Sequence, residues 1–400
     1  MTNVHDLTSV LESMRKEITA WMATKREEIS IPIYGSVDIR DAGWKVGVVD
    51  ANHFPAGFNN IAEDDFPHLS ELFKAHILRT KPECKSVHIY PESHTRNLGY
   101  IENIATIQRL IKGAGFVCTV GSPELSELGF LKGISGPLKL EPVDVDSEGE
   151  LIVGGVKPDL ILLNNDLTNG KLPGLTSPSV TPPTEMGWHQ RKKSEHYRCL
   201  QGYVDEISEM IGIDPWHLMP EWFVSKDKCL TEEACKTKLA SEINEFIAKI
   251  QARYDAYGID RTPAVVMKND RGTYGLGIMI LTSGDQILNL SNRKINKLRY
   301  AKGGADVESY LIQEGIPTGM LTDDGEPVEP VVYLVDGEAA AWFYRINPKK
   351  SDMDNLNSPS ARFENYTRSG DKYGTHAHGW HALLAELSML AMGAELNIKR

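Results

Sequence analysis

Four short apolar runs, interleaved with helical patterns, constrain the fold of this chain more than any other feature. The runs are Trp44–Asp50, Ser86–Tyr90, Phe116–Val120 and Pro158–Asn164. Amphipathic helical patterns at Phe66–Arg79 and Asn97–Ala114 precede the second and the third run. Buried β-branched runs that alternate with amphipathic helices are typical of a parallel sheet covered on both faces. We therefore predict an α/β fold whose N-terminal domain is built on a parallel sheet.

Clusters of polar residues follow three of the predicted strands. They are Asp50-Ala51-Asn52, Glu92-Ser93-His94 with nearby Arg96, and Asn164-Asn165-Asp166. Asn, Asp and Ser also form ordinary turns, so each cluster alone has a purely structural interpretation. Ligands of such sheets, however, bind beyond the carboxyl ends of the strands. Three clusters at corresponding strand ends therefore favour a binding site at this edge of the sheet.

A change of composition marks the segment Gly170–Lys193, which is rich in Pro, Ser, Thr and Gly and ends in a basic run. This composition predicts a long loop or mobile lid. Helical patterns follow at Ser194–Ile211 and Thr231–Tyr257. We therefore predict a domain boundary here, between a substrate domain over residues 1–193 and a nucleotide-binding domain over residues 194–400.

Charge and composition narrow the class of protein. The net charge of −12 argues against a nucleic-acid partner, although one local basic cluster is enough to bind a nucleotide. No apolar run approaches the roughly 18–20 residues of a membrane helix, and Met1–Glu28 has the pattern of an amphipathic helix rather than a signal peptide. The five scattered cysteines predict reduced thiols. We therefore expect a cytoplasmic protein without a membrane partner, and the sequence leaves a homo-oligomer open.

The segment from Pro263 to Ile280 carries the strongest chemical signal. An apolar strand leads to Lys268, glycines follow in the spacing G-x-x-G-x-G, and a second apolar strand leaves. This spacing fits neither the dinucleotide-binding fingerprint nor the phosphate loop that ends in G-K-[ST]. An ordinary glycine-rich hairpin is one interpretation. The other is a loop that covers a triphosphate with backbone N–H groups while Lys268 supplies a point charge.

Three further segments follow in an order that suits a nucleotide site. Ser309–Pro317 predicts a strand ending in a hinge, which would offer adenine a backbone donor and acceptor and place Glu314 near the ribose. Glu329–Arg345 predicts two strands joined by Asp336-Gly337, a strong hairpin signal. Asp352–Asn357 then adds acidic and amide oxygens, the ligands that Mg²⁺ prefers, after an Arg that suits the charge of a transferring phosphoryl group.

The order of lysine-bearing strand, glycine loop, hinge, acidic strand, Arg and Asn resembles the nucleotide domain of the ATP-grasp superfamily, over Glu221–Arg362. The resemblance implies ATP and Mg²⁺, with Mn²⁺ as the alternative metal. It implies ATP binding by Lys226, Lys268, Gly272, Thr273, Tyr274, Gly275, Gly277, Gln313 and Glu314, metal binding by Glu329, Asn355 and Asn357, and catalysis by Arg345 and Lys268. Lys228 is the alternative to Lys226. The commonest pattern has a Glu just before the metal Asn, whereas Asp352 and Asp354 stand nearby here, so the second metal carboxylate stays unassigned.

Motifs in the first half of the chain resemble the short bacterial family of glutamate–cysteine ligases. They are Ser36–Lys45, Val49–Asn60, Pro91–Asn97 and Trp188–Lys193, and the likeness extends over nearly the whole chain. The resemblance implies that ATP converts the γ-carboxylate of glutamate into an acyl phosphate, which the amine of cysteine then attacks. The substrates would be glutamate, cysteine and ATP, and the reaction would be the first step of glutathione synthesis.

An amino-acid substrate needs anionic partners for its ammonium group and cationic partners for its carboxylates. Candidates of the first kind are Asp38, Asp50 and Glu92, and candidates of the second kind are Arg40, Arg96 and Arg191, with Asn52 as a further polar contact. Each also has an interpretation as a solvated surface charge. Two other functions stay open: another ATP-grasp ligase, such as a glutathione synthetase or a peptide-tailoring enzyme, and a non-catalytic ATP-binding regulatory module. The presence of Lys268, Arg345 and Asn355 argues against the second.

Overall fold

A computed structural model of the chain describes residues 3–226, 230–271, 277–299, 309–365 and 378–399. Its α-helices are α1 (Thr8–Ser13), α2 (Arg15–Glu28), α3 (Phe66–Thr80), α4 (Leu98–Gly113), α5 (Lys193–Ile211), α6 (Glu233–Tyr257), α7 (Asp285–Leu288), α8 (Asn292–Arg299) and α9 (His378–Lys399). Its strands are β1 (Tyr34–Asp41), β2 (Val46–Asn52), β3 (Ser86–Pro91), β4 (Val117–Val120), β5 (Phe130–Lys132), β6 (Pro137–Lys139), β7 (Val143–Val145), β8 (Leu151–Val153), β9 (Leu160–Asn164), β10 (Val180–Thr181), β11 (Trp222–Ser225), β12 (Val265–Asn269), β13 (Met279–Leu281), β14 (Tyr310–Glu314), β15 (Val328–Val335), β16 (Glu338–Ile346) and β17 (Arg362–Asn365). Together they form a mixed α/β protein.

The predicted parallel sheet is present, in the order β10-β9-β3-β4. The helix α4 buries Ile104 and Leu110 against it, and α3 adds Phe73 to the same apolar cluster while packing against α4 and the strands β15 and β16. The helix α4 begins where the side chain of Asn97 accepts a hydrogen bond from the N–H of Tyr100 at 3.2 Å. All four predicted strands are therefore present, three of them in this sheet, and both predicted helices are confirmed.

The fourth predicted strand, β2, lies in a different sheet, so its assignment to the parallel sheet was wrong. It pairs with β1 at one edge of an antiparallel sheet in the order β17-β16-β15-β1-β2. The strand β1 is buried along its whole length even though Ser36, Asp38 and Arg40 alternate with its apolar residues. An apolar-run search misses such a strand because its polar residues face internal cavities rather than solvent.

This antiparallel sheet draws its strands from both halves of the chain. The hairpin of β15 and β16 turns at Asp336 and Gly337, whose φ values of 54° and 78° suit the predicted two-residue turn. The pairing of β15 with β1 joins residues on opposite sides of position 193. The division of the chain at that position stays a prediction, and the sheet itself spans it.

A third sheet, in the order β11-β14-β12-β13, carries the predicted nucleotide segment. The strand β12 ends with Lys268 and Asn269, and β13 returns antiparallel to it, as predicted. The helix α6 covers this sheet with Leu239, Ile243 and Ile250. Residues 272–276 of the glycine loop lie outside the described residues, whereas Gly277 is described and has a positive φ of 71°.

The segment predicted as a loop or lid, Gly170–Lys193, packs onto the parallel sheet. It contributes the short strand β10 and buries Leu175, Met186 and Trp188. Among the described helices, none combines the length and the apolar character that crossing a bilayer requires.

Candidate active site

Two cavities adjoin at the face where β1, β2 and β15 meet the third sheet. The first, which we call the lysine cleft, contains about 830 Å³ of space open to solvent. Its lining residues are Asp38, Arg40, Val49, Asp50, Lys193, Val266, Lys268, Asn269, Ile278, Ile280, Gln313, Glu314, Ile316, Glu329, Met353, Asn355 and Asn357. Apolar walls with a few convergent charged groups are typical of small-molecule sites. The lining of this cleft therefore offers the kinds of surface that an aromatic base and a charged tail would contact.

Lys268 is fixed at the floor of the lysine cleft. Its Nζ donates to the carbonyl of Val49 at 2.7 Å and to Oε1 of Gln313 at 2.9 Å. Burial lowers the pKa of Lys268 to about 8, while the carboxylate of Asp50 opposes that shift. Because that value lies above neutral pH, the ammonium form predominates there and supplies the predicted positive charge.

The predicted hinge residues have other partners in the structure. The side chain of Gln313 holds Lys268 and accepts a hydrogen bond from the Tyr197 hydroxyl at 3.3 Å. The carboxylate of Glu314 forms a buried ion pair with Lys45 and accepts a bond from the N–H of Glu221 at 3.0 Å. One oxygen of Glu314 is thus held inside the core, whereas Oε1 has no hydrogen-bond partner among the described residues. Because Glu314 also lines the lysine cleft, its place near a ribose stays a prediction.

A buried cluster of alternating charges separates the lysine cleft from the second cavity. Arg345 donates from Nη1 to Oδ2 of Asp38 at 2.8 Å and also to Glu329. Arg40 binds the other oxygen of Glu329. Burial would raise the pKa of Glu329, but Arg40 and Arg345 outweigh burial and lower it. Burial dominates at Asp38 and raises its pKa despite Arg345.

The predicted metal ligands Glu329, Asn355 and Asn357 all line the lysine cleft. A carboxylate and two amides are oxygen donors of the kind that Mg²⁺ prefers, so the donor types fit. Both oxygens of Glu329 are held by Arg40 and Arg345 here, so a metal at Glu329 would have to share them with these guanidinium groups. Elsewhere in the described residues, a group of three acidic side chains occurs at Asp146, Glu148 and Glu150. Lys157 pairs with all three, at 2.9, 3.6 and 2.6 Å, and accounts for that surface group without a metal.

The second cavity, which we call the acidic pocket, contains about 910 Å³. Its lining residues are Ser36, Asp38, Asp50, Asn52, Phe54, Pro55, Ala56, Gly57, Asn60, Glu92, Tyr100, Asn164, Asp166, Trp188, Val331, Tyr333, Phe343, Arg345, Asn357 and Phe363. Four carboxylates face one guanidinium here. Such a surface suits ligands that carry ammonium groups.

The far end of the acidic pocket is organised by the predicted polar clusters. Glu92 accepts a hydrogen bond from the N–H of Asp166 at 2.9 Å. The Tyr100 hydroxyl accepts from the N–H of Glu92 at 2.8 Å and donates to the carbonyl of Asn164 at 2.6 Å. The ends of β3 and β9 therefore meet at one site, as their neighbouring positions in the parallel sheet predicted.

The structure brings some of the predicted substrate residues together and separates others. Asp38, Asp50, Asn52 and Glu92 line the acidic pocket, whereas Arg40, Arg96 and Arg191 do not. Arg40 lines the lysine cleft, where Glu329 and the backbone carbonyls of Asp352 and Asp354 hold it. Arg96 is exposed. Arg191 is 1% exposed and donates to Glu395 and to the carbonyl of Ala51.

The two candidate lysines before α6 are not part of the described cleft. Lys226 is exposed and does not line it, and Lys228 lies outside the described residues. The lysine that does line the cleft besides Lys268 is Lys193, which pairs with Asp50. Sequence reasoning placed Lys193 in the basic tail of a loop. The signal that could have identified it is its position at the end of the Trp188–Lys193 motif, where a helix begins.

Comparisons with known proteins identify the family of the chain. A family model described as glutamate–cysteine ligase matches residues 8–396. A crystal structure at 1.90 Å resolution from Methylobacillus flagellatus KT, provisionally named a gamma-glutamylcysteine synthetase, shares 30% sequence identity with the chain. That match covers 100% of this chain and 97% of the other, with a TM-score of 0.90. No curated protein sequence matches the chain.

Two further structures are much more distant. D-alanyl-alanine synthetase A from Vibrio cholerae O1 biovar eltor str. N16961 is 12% identical, covers 77% of this chain and 81% of its own, and has a TM-score of 0.29. A glutathione synthetase-like effector (GSS30) from Globodera pallida is 9% identical, covers 90% and 81%, and has a TM-score of 0.36. At these TM-scores, neither structure supports an inference about the present chain.

The family match and the close structural match define the protein as an ATP-dependent ligase that joins a carboxylate to an amine. Within that class, the chain belongs to the glutamate–cysteine ligase family. The resemblance inferred from the sequence motifs is therefore confirmed, and the protein is an enzyme that ligates glutamate to cysteine.

Proposed function

We propose that ATP binds in the lysine cleft, that the amino acids bind in the acidic pocket, and that the reacting groups meet at the wall between them. One observation carries this proposal: Asp38, Asp50 and Asn357 line both cavities. A triphosphate in one cavity and a carboxylate in the other would then face each other directly. Holding two reactants at such a boundary removes much of the entropic cost of their encounter.

The proposed reaction has two transfers. An oxygen of the glutamate γ-carboxylate attacks the γ-phosphorus of ATP, the bond from that phosphorus to the bridging oxygen breaks, and ADP leaves. The amine of cysteine, in its free-base form, then attacks the acyl carbon and the bond to the phosphate oxygen breaks. Inorganic phosphate leaves with the proton that the amine loses. This ligation is the first step of glutathione synthesis.

The protein contributes fixed charge and position rather than a covalent intermediate. We assign Lys268 to a phosphate oxygen and Arg345 to the charge that develops between phosphate and carboxylate. Arg345 lines the acidic pocket, where its Nη1 donates to Asp38 and to Glu329. Asp50 and Glu92 would bind substrate ammonium groups, and Asn52 would add a polar contact.

Three further points belong to the same proposal. The nucleotide half has the ATP-grasp arrangement, with the substrate domain ending near residue 193. Mg²⁺, or alternatively Mn²⁺, would be held by Glu329, Asn355 and Asn357, and would neutralise phosphate charge when bound. The enzyme would work in the cytoplasm.

ADP release by the purified protein tests the proposal directly. Mg-ATP is supplied with glutamate and cysteine, and each amino acid is omitted in turn. We expect turnover to require both, with γ-glutamylcysteine identified by mass. Turnover with γ-glutamylcysteine and glycine instead would overturn the substrates, and ATP binding without turnover in any amino-acid mixture would support the regulatory module.

A further inference from the structure

Lys193 lines the lysine cleft beside Asp50, a residue of both cavities, and none of the roles assigned above uses it. Its Nζ pairs with Oδ1 of Asp50 and lies 4.5 Å from the centroid of the Trp188 ring. Its backbone N–H donates to the carbonyl of Asp270 at 2.8 Å, which ties the start of α5 to the end of β12. The base of this side chain is therefore fixed, and its four-carbon stem leaves the ammonium group able to turn.

Asp50 is accessible from both sides of the same wall. It lines the lysine cleft and the acidic pocket, and 36% of its side chain is exposed. Burial alone would raise the pKa of Asp50, but Lys193 and Lys268 outweigh burial and lower it, so the group is an anion. Lys268 also binds the carbonyl of Val49, the preceding residue. Both lysines of the cleft thus converge on one short stretch of β2.

We propose that Lys193 is a further phosphate-binding residue, and that a substrate ammonium group bound at Asp50 releases it. This inference rests on the proposed function, which places the amino acid in the acidic pocket and ATP in the lysine cleft. Without amino acid, the carboxylate of Asp50 neutralises Lys193. When an amino-acid ammonium takes that carboxylate, Lys193 turns toward the phosphates of the cleft that it already lines.

This exchange of partners at Asp50 makes the binding of the amino acid and the binding of the nucleotide cooperative. An amino acid at Asp50 adds a cation to the nucleotide site, and a nucleotide that recruits Lys193 leaves Asp50 to the amino acid. By thermodynamic linkage, each ligand must tighten the binding of the other by the same factor. The result would favour ATP binding when the carboxylate to be phosphorylated is already present.

Calorimetric titration with the non-hydrolysable analogue AMP-PNP and Mg²⁺, with and without saturating glutamate, measures this coupling. We expect glutamate to tighten analogue binding to the wild-type enzyme by about fivefold or more. Lys193→Met keeps the apolar stem and removes the charge, so the effect of glutamate should disappear. Lys249→Met is the matched control, because Lys249 also pairs with a carboxylate, Glu221, but outside both cavities. It should keep the full effect.

A second variant should change the affinity for the analogue in the opposite direction, by freeing Lys193 instead of removing it. Asp50→Asn removes the partner of Lys193, so we expect tighter analogue binding without glutamate and no further tightening with it. In the double variant Lys193→Met/Asp50→Asn this gain should vanish. A gain that persists in the double variant would reflect only the loss of a negative charge and would overturn the proposal. Lys193→Gln repeats the test if the Met variant does not fold.

The test of the Lys193 role can fail while the test of the proposed function succeeds. If the wild-type enzyme releases ADP with glutamate and cysteine, yet binds the analogue equally with and without glutamate, the role of Lys193 is overturned and the proposed function stands. If that pair gives no ADP release, the proposed function fails and the role of Lys193 fails with it.

Discussion

Arg345 and Arg191 are both buried and both paired with carboxylates, yet they differ in what remains unsatisfied. All three guanidinium nitrogens of Arg191 donate to Glu395 or to the carbonyl of Ala51, at 2.5–3.2 Å. Arg345 lines the acidic pocket and keeps a buried Nε without a partner among the described residues. Arg191, in contrast, lines neither cavity. Burial and ion pairing therefore do not identify a site residue, whereas a position in the wall of a cavity does.

The largest effect should come from Arg345→Met. If Arg345 stabilises charge in the phosphoryl transfer, its loss should lower kcat by roughly 10³–10⁵-fold, as for other arginines in this role. ADP release under saturating substrates measures the change. A loss of less than tenfold in a folded variant would place Arg345 with Arg191, as part of the scaffold.

Arg191→Met should act on stability instead. It leaves the carboxylate of Glu395 buried beside His196, at 2.6 Å, without its cationic partner. Breaking a buried pair in this way costs about 3–5 kcal/mol of the free energy of unfolding. Denaturant unfolding measures the cost. Normal stability with a raised KM for glutamate would restore the sequence-based prediction that Arg191 contacts substrate.

Two lysines differ in the same way, since both are buried but only one lines a cavity. Burial lowers the pKa values of Lys268 and Lys45 to about 8, but Lys268 lines the lysine cleft whereas Lys45 is sealed against Glu314. If the Lys268 ammonium binds phosphate, kcat/KM for ATP should be constant below that pH and fall as pH rises through it, approaching about tenfold per unit. Lys268→Arg keeps its charge and should flatten the fall. An unchanged fall would assign the titration to Lys45.

The smallest effect is expected at Arg96. This side chain is exposed and lines neither cavity. Arg96→Ala should therefore change stability by no more than about 0.5 kcal/mol and leave the KM for glutamate within experimental error. A large rise in that KM would show that the pocket extends to Arg96 when substrate is bound.

Local patterns predicted much of this molecule. Apolar runs and helical periodicity gave three strands of the parallel sheet, and Asp-Gly gave the hairpin of β15 and β16. The strand carrying Lys268 and the polar strand ends around Glu92 were also visible in the sequence. Each of these features depends on residues close together in the chain.

The features that sequence reasoning missed depend on distant pairs. Arg40 meets Glu329 across 289 positions, and Lys45 meets Glu314 across 269. Which charges neutralise each other at such separations is decided by packing, and no spacing rule records it. The sequence therefore could not show that Arg40 and Glu314, both in the lysine cleft, are paired with buried charges.

The pairing of β1 with β15 has a consequence for how the enzyme comes into being. A nascent chain that has reached residue 193 has β1 and β2 but lacks the strand that borders β1 on its other side. Such a fragment would expose an open strand edge, which is prone to association with other chains. Both cavities also take residues from beyond position 300, so no ribosome-bound intermediate of that length has the complete site. ATP consumption by this enzyme can begin only after translation of the second half is nearly complete.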